Sequence, residues 1–243
     1  LSLEDFAQEV AAGIQIGIEF QINDDDDGGG GDGNIKLFDT GSSWRNPSLF
    51  ASATLVDNLV GPMICRAVTS PVVDGAPDNI WDFATPMALT LNADTFEPGD
   101  LSAYAKVLWD DENIYYLVTV MDDELSDDSV PEQPWTDDTV EIYIDGGNEK
   151  ATSYDDNDAQ ITLRRTMRTE PGGKPDAYVD DLTWATSEMA EGAGYYVEMS
   201  IPLSALPQEI MPGSVIGMEF QINDDDDGGG GDGNIKAFNG GST

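Results

Sequence analysis

The chain has 243 residues, with 48 Asp and Glu against 10 Lys and Arg and no His, for a formal net charge of −38 at neutral pH. A field of that sign repels nucleic acid and anionic lipid, which excludes DNA and RNA as partners, and a chain without imidazole has no ordinary catalytic triad and no His-based zinc site. Hydrophobic residues at 40% and aromatics at 9% nevertheless supply enough apolar surface for a buried core.

Taken in chain order, period-two alternation of β-branched and aromatic residues predicts many short strands and little helix. They fall at Gly17 to Asn23, Ile35 to Phe38, Ala53 to Val56, Met87 to Asn92, Tyr104 to Trp109 and Ile114 to Met121. Further strands are expected at Thr139 to Asp145, Gln160 to Arg165, Thr183 to Ala185, Tyr195 to Ile201 and Ile216 to Asn223. Asp110 to Asn113, Asp145 to Asn148 and Asp155 to Asp158 have the short polar side chains and glycines of turns. The only helical signal, Leu203 to Glu209 after Pro202, is a turn or two. This pattern predicts an all-β fold, an antiparallel, jelly-roll-like β-sandwich with acidic Asp/Gly-rich loops. The lone Cys65 reads as a small buried residue. No apolar run is long enough to span a bilayer and no signal peptide is visible, so Leu1 reads as the start of a mature chain or of a fragment.

One stretch, INDDDDGGGGDGNIK, occurs from Ile22 and again from Ile222. The match continues backwards through Gly17-Ile18-Glu19-Phe20-Gln21 and Gly217-Met218-Glu219-Phe220-Gln221, and Gln8/Gln208, Glu9/Glu209 and Gly13/Gly213 keep the register. A repeat of that period is a whole domain rather than a solenoid unit. Residues 1–60 are thus expected to be the C-terminal part of a preceding copy, or a segment completing a neighbouring subunit, and 61–243 a second sandwich lacking its final strand.

Clustered carboxylates without basic partners raise the energy of a compact state unless a cation neutralises them, and calcium, which takes six to eight oxygens, suits this composition. Asp24, Asp25, Asp26 and Asp32 in the first copy and Asp224, Asp225, Asp226 and Asp232 in the second are the leading candidate ligands, with Asp122, Asp156 and Asp158 behind them. The spacing is not that of an EF-hand, and a solvated charge run is the competing explanation. Among the tryptophans, Trp81 and Trp109 are expected in the core, while Trp135, after Pro134 in a polar loop, is expected to be exposed.

Pro71-Val72-Val73-Asp74-Gly75 with Ile80-Trp81, Ala105 to Asp111, Tyr115 to Val118, Pro134-Trp135, Asp138 to Asp145, Asp156 to Gln160, Gly194 to Glu198, Ile216 to Asp224 and Ser43 to Ser48 stand in one order along the chain. That series resembles the family 9 carbohydrate-binding modules, calcium-containing β-sandwiches. The resemblance implies a sugar end held between two indole rings, here Trp135 and Trp44, with Glu141 and Gln21 or Gln221 at the rim. A family arginine falls on Thr162, leaving Arg164 nearby, and a family asparagine falls on Gly41. Trp44 belongs to the first copy and Trp135 to the second, and the counterpart of Trp44 at the repeat offset would lie past Thr243.

Two readings follow. The leading expectation is a non-catalytic extracellular or cell-surface repeat that assembles with copies of itself, head to tail, into a calcium-stabilised filament. The alternative is a carbohydrate-binding module that grips a polysaccharide or oligosaccharide end. No pair of carboxylates is marked out for hydrolysis, so an enzyme is not expected.

Overall fold

A computed structural model describes residues 15–18, 21–24, 33–36 and 51–54 by their backbone, and 62–130, 133–166, 178 and 180–238 with their side chains. The chain divides into two compact units, Leu1–Gly61 and Pro62–Thr243.

In the first unit β1 (Gln15–Ile18) pairs antiparallel with β4 (Ala51–Thr54), and β2 (Gln21–Asp24) with β3 (Gly33–Lys36). The run expected as one strand from Gly17 to Asn23 is divided between β1 and β2. In the second unit β13 (Gly217–Asp224) and β14 (Gly233–Lys236) repeat the β2–β3 hairpin with the same partners, Gln221 opposite Lys236 as Gln21 is opposite Lys36. The acidic glycine tract is the connection of this hairpin.

The second unit is an all-β sandwich. One sheet runs β11 (Thr183–Glu188), β12 (Tyr195–Pro202), β8 (Asn113–Asp122), β7 (Leu101–Trp109) and β5 (Cys65–Arg66), with β6 (Met87–Leu89) also on β7. The other runs β10 (Asp158–Arg164), β9 (Thr139–Asp145), β13 and β14. Every pairing is antiparallel except the two-residue match of β5 to β7, which is parallel. The helical signal after Pro202 is a single 3-10 turn, Leu203–Ala205. Proline at either end of Leu203–Leu206 confines it.

Alternation builds the core between the sheets. Val140, Ile142 and Ile144 of β9, Ala159, Ile161 and Leu163 of β10, and Phe220 and Ile222 of β13 pack with Ala105 and Val107 of β7, Tyr116, Val118 and Val120 of β8, and Val197, Met199 and Ile201 of β12. Each such burial stabilises the fold by roughly 1.5–3 kcal/mol. β8 is buried on its other side too, where Tyr115 and Leu117 pack with Leu108, Ala67 and Trp81. Trp109, expected in the core, is half-buried, with the Arg66 guanidinium 5.7 Å from its ring centroid.

Glu198 fastens the segment before Trp81 to this outer face. The Trp81 Nε1–H donates to its Oε1 at 2.9 Å, and the Gly75 and Asp74 amides donate to its Oε2 at 2.8 and 3.1 Å. Gly75 has φ +86°, and a Cβ there would come within 2.7 Å of the Thr186 backbone, so the turn requires glycine. Trp81 is 2% exposed and Glu198 1%. Replacing Trp81 by Phe keeps most of the apolar volume but leaves a buried carboxylate oxygen without its indole donor. The expected loss is about 1–3 kcal/mol, read from urea unfolding, with an unchanged midpoint excluding the role given to Glu198.

Candidate sugar-binding face and acidic strand ends

The four-stranded sheet turns its other face away from the core, and that face is polar throughout. Cross-strand register lines up Arg164, Thr139, Asn223 and Asn234 in one row, and Thr162, Glu141, Gln221 and Lys236 in the next. Glu141 stands at its centre, 2% exposed. Its Oε1 accepts from Gln160 Nε2 at 3.0 Å and Thr162 Oγ1 at 3.2 Å, and its Oε2 from Gln221 Nε2 at 2.8 Å and the Tyr143 hydroxyl at 2.5 Å. Gln221 Nε2 also donates to Asn223 Oδ1 at 2.6 Å, and Asn223 Nδ2 to Thr139 Oγ1 at 3.0 Å. Such a lattice fixes the rotamers of every side chain in it.

Trp135 lies beside this face on the 3-10 turn Pro134–Thr136, which packs against β9, β10 and β13. Pro134 is buried and anchors the turn, whereas Trp135 is 46% exposed. An exposed flat apolar ring next to a preorganised polar lattice suits a pyranose, whose axial C–H face packs on an indole while its hydroxyls exchange hydrogen bonds. Arg164, 2% exposed, reaches Ser129, Val130 and Asp137. Of the remaining sugar-site candidates, Gln21 lies on β2 at the register position of Gln221 on β13, and Trp44 lies outside the described residues. Thr139, Tyr143, Gln160 and Asn223 were not among the expected site residues. The signal that could have found them is the period-two partnership with Glu141 and Gln221.

At one end of the sandwich, three strand ends bring carboxylates together. Asp122 closes β8, Asp138 precedes β9 and Asp224 closes β13. All three are buried, and each offers a ligand oxygen within 4.8 Å of the others'. Both oxygens of Asp224 and Oδ2 of Asp122 have no hydrogen-bond partner. Burial pushes all three pKa values up, reinforced for Asp122 by Asp138 and Asp224 and for Asp224 by Asp226 and Asp100. The results are about 8 for Asp122 and about 7 for Asp138 and Asp224. Asp226 and Asp232 group with Asp224, and Asp226 also with Asp100 and Asp123.

The other expected ligands fare differently. Asp225 is buried, its carboxylate accepts from Ser126 Oγ at 3.1 Å and the Gly228 amide at 3.0 Å, and it groups with Asp128 and Asp137. Asp158 accepts from the Asp155 amide at 2.8 Å and groups with Asp145 and Glu149, and Asp156 is exposed on that turn. Asp24 ends β2, and Asp25, Asp26 and Asp32 lie outside the described residues. Asp138 was not among the expected candidates, because Asp137-Asp138 reads locally as a strand start.

The chain matches the family described as Carbohydrate family 9 binding domain-like over residues 3–58 and 73–241. It is 30% identical to "Exoglucanase XynX" of Acetivibrio thermocellus over 211 residues, 86% of this chain and 18% of that protein. "Endo-1,4-beta-xylanase A" of Thermoanaerobacterium saccharolyticum is 30% identical over 216 residues, 88% of this chain and 18% of that one. The chain therefore spans less than a fifth of the length of these curated relatives. A family 9 carbohydrate-binding module from Caldicellulosiruptor kristjanssonii has been solved in complex with cellotriose and with glucose. It is 26% identical, with a TM-score of 0.63 over 73% of this chain and 84% and 86% of the two solved chains. These likenesses overturn the leading expectation of a head-to-tail filament. The family match covers the duplicated segment on both sides of the unit boundary, and in the second unit the repeated hairpin contributes Gln221 and Asn223 to the hydrogen-bonded polar face. The chain belongs to the family 9 carbohydrate-binding domains.

Proposed function

We propose that this chain is a non-catalytic, extracellular carbohydrate-binding domain that takes the end of a β-linked glucan or xylan chain. The observation that carries this reading is Trp135, half exposed on a turn that abuts the hydrogen-bonded lattice around Glu141. The indole supplies the apolar platform, and Glu141 and Gln221 exchange part of their present hydrogen bonding for sugar hydroxyls. By the family resemblance Trp44 is the second ring of such a pair, and Gln21 in the first copy stands where Gln221 stands in the second. The solved relatives bound to cellotriose and glucose support the ligand class.

We further propose that Asp122, Asp138 and Asp224 hold calcium, with Asp226 and Asp232 as outer ligands. The orphaned oxygens of Asp224 and Asp122 fit a hard cation that prefers carboxylate oxygen. Calcium would supply most of the charge compensation, since Arg165, which acts on Asp138, is paired with Glu188. It would take no part in any bond-breaking step.

Titration calorimetry with cellotriose tests the first proposal. Trp135→Ala is expected to weaken binding about tenfold or more, through loss of roughly 1–2 kcal/mol of ring contact. An unmodified chain that ignores cello- and xylo-oligosaccharides removes the reading. For the second, the pKa values fix the sign. Carboxylates whose folded pKa is raised stabilise the fold below the unfolded value, near 4, and that contribution is lost as pH rises through 7 to 8. In chelator the thermal midpoint is therefore expected to fall between pH 5 and pH 8, and Asp122→Asn to flatten the fall. Calcium at pH 8 is expected to restore the midpoint by mass action, and no response to calcium there removes the assignment.

A further inference from the structure

We propose that Arg164 is a positioning residue for Trp135: it holds the loop on which the tryptophan stands and does not itself meet the sugar. The inference rests on the sugar-binding reading of Trp135 and assigns the support beneath it. Arg164 ends β10, opposite Thr139. Its Nη2 donates to Ser129 Oγ at 2.6 Å and to the Val130 carbonyl at 2.9 Å, and lies 3.1 Å from Asp137 Oδ2. Its Nη1 donates to the Ser129 carbonyl at 3.4 Å and lies 3.6 Å from Asp127 Oδ1. Both terminal nitrogens thus face the segment that leads to Trp135.

The same segment is closed on itself around the guanidinium. Asp137, fully buried and two residues after Trp135, accepts from the Ser129 amide at 2.8 Å. The Thr136 and Asp137 amides donate to the Gln133 and Pro134 carbonyls, which shapes the turn that presents the ring. A planar fork of N–H donors satisfies two carbonyls, a hydroxyl and two carboxylates at once, which a lysine's point charge cannot. An arginine so engaged and so buried has a structural reason to be there that needs no ligand.

The repeated hairpin grips this loop from its other side. Asp138 accepts from the Ser126 amide and, at 2.9 Å, from the Asp225 amide. A Cβ on Gly231 would stand 3.5 Å from the Trp135 carbonyl oxygen and 3.7 Å from the Thr136 Cα, so the glycine tract lies directly against the tryptophan's backbone. Gly228, at φ +70°, would bring a Cβ within 2.5 Å of Asp128 Oδ2. Within the eight-residue connection, residues 225–232, the positive φ of Gly228 and Gly230 is what calls for glycine, while Gly231 sits at ordinary contact distance from the loop.

The test uses the whole chain and three variants, Arg164→Met, Arg164→Lys and Ser129→Ala. The measurements are cellotriose affinity, amide exchange over residues 126–138, and the Trp135 indole signal in NMR spectra, assigned with Trp135→Phe. Arg164→Met is expected to speed exchange in that loop about tenfold or more, to move the indole signal, and to weaken cellotriose binding about tenfold. Arg164→Lys is expected to recover part of each, and Ser129→Ala to move all three in the same direction by less. Lost affinity with an unchanged loop and indole signal would mean that Arg164 touches the sugar, and would overturn the proposal. So would no change at all. If Arg164→Met does not fold, the other two variants decide, with unaltered loop protection in both counting against the idea. A parent chain that binds no cellotriose defeats the sugar-binding reading alone, because loop exchange and the indole signal still show whether Arg164 positions Trp135.

Discussion

Successive side chains of a strand point to opposite faces, and in the four-stranded sheet that constraint separates an apolar surface from a polar one. Val140, Ile142 and Ile144 face the core while Thr139, Glu141 and Tyr143 face away, so a single strand contributes to both the core and the candidate recognition surface. A slip of one residue between β9 and its neighbours would bury Glu141 in the core and expose the isoleucines. Core packing therefore enforces the register that places Thr162, Glu141 and Gln221 side by side. The stability of the fold and the geometry of the site are the same constraint seen from two sides.

The carboxylates of this acidic chain divide into two physical kinds. Some organise backbone. Burial pushes Asp110 up, but hydrogen bonds from Ser70, Asn113, Glu112 and Tyr115 together outweigh it and hold its pKa at about 2. Glu198 and Asp225 likewise accept from nearby amides. Asp122, Asp138 and Asp224 are the other kind, buried, mutually repelling and partly orphaned. Net charge alone does not tell the two kinds apart, because the difference lies in which donors the fold brings within reach.

Three features of the molecule meet at Trp135. The strands that carry the lattice around Glu141 pack against its turn, the Arg164 guanidinium bonds to the loop before it, and Gly231 lies against its backbone. The tract that marks the sequence most visibly as a repeat is, in the second unit, a close-packing device beside the recognition face. Its acids and its glycines do different things: Asp224 joins the buried cluster, Asp225 accepts from the turn's amides, and Gly228 and Gly230 supply positive φ.

Much of this was legible in the sequence, for reasons that are local. The strand positions, the Asp/Gly turns, the duplicated hairpin and the exposure of Trp135 follow from periodicity, turn chemistry and the flanking polar residues. The series of motifs also marked the family. What was misjudged or missed is non-local. Asp138 could not be recognised as a partner of Asp122 and Asp224, because three strand ends meet only when two sheets close over their common core. Arg164 was placed by proximity to Thr162, and the hydrogen bonds of its guanidinium to a loop more than thirty residues earlier in the chain were not legible there. The emphasis on filament assembly came from weighing the repeat without the surface it builds. By itself the sequence determined the strands, their two-faced alternation and the family. Only the tertiary structure decided which carboxylates share a site and which residues hold Trp135, because those depend on cross-sheet and loop distances that no periodicity encodes.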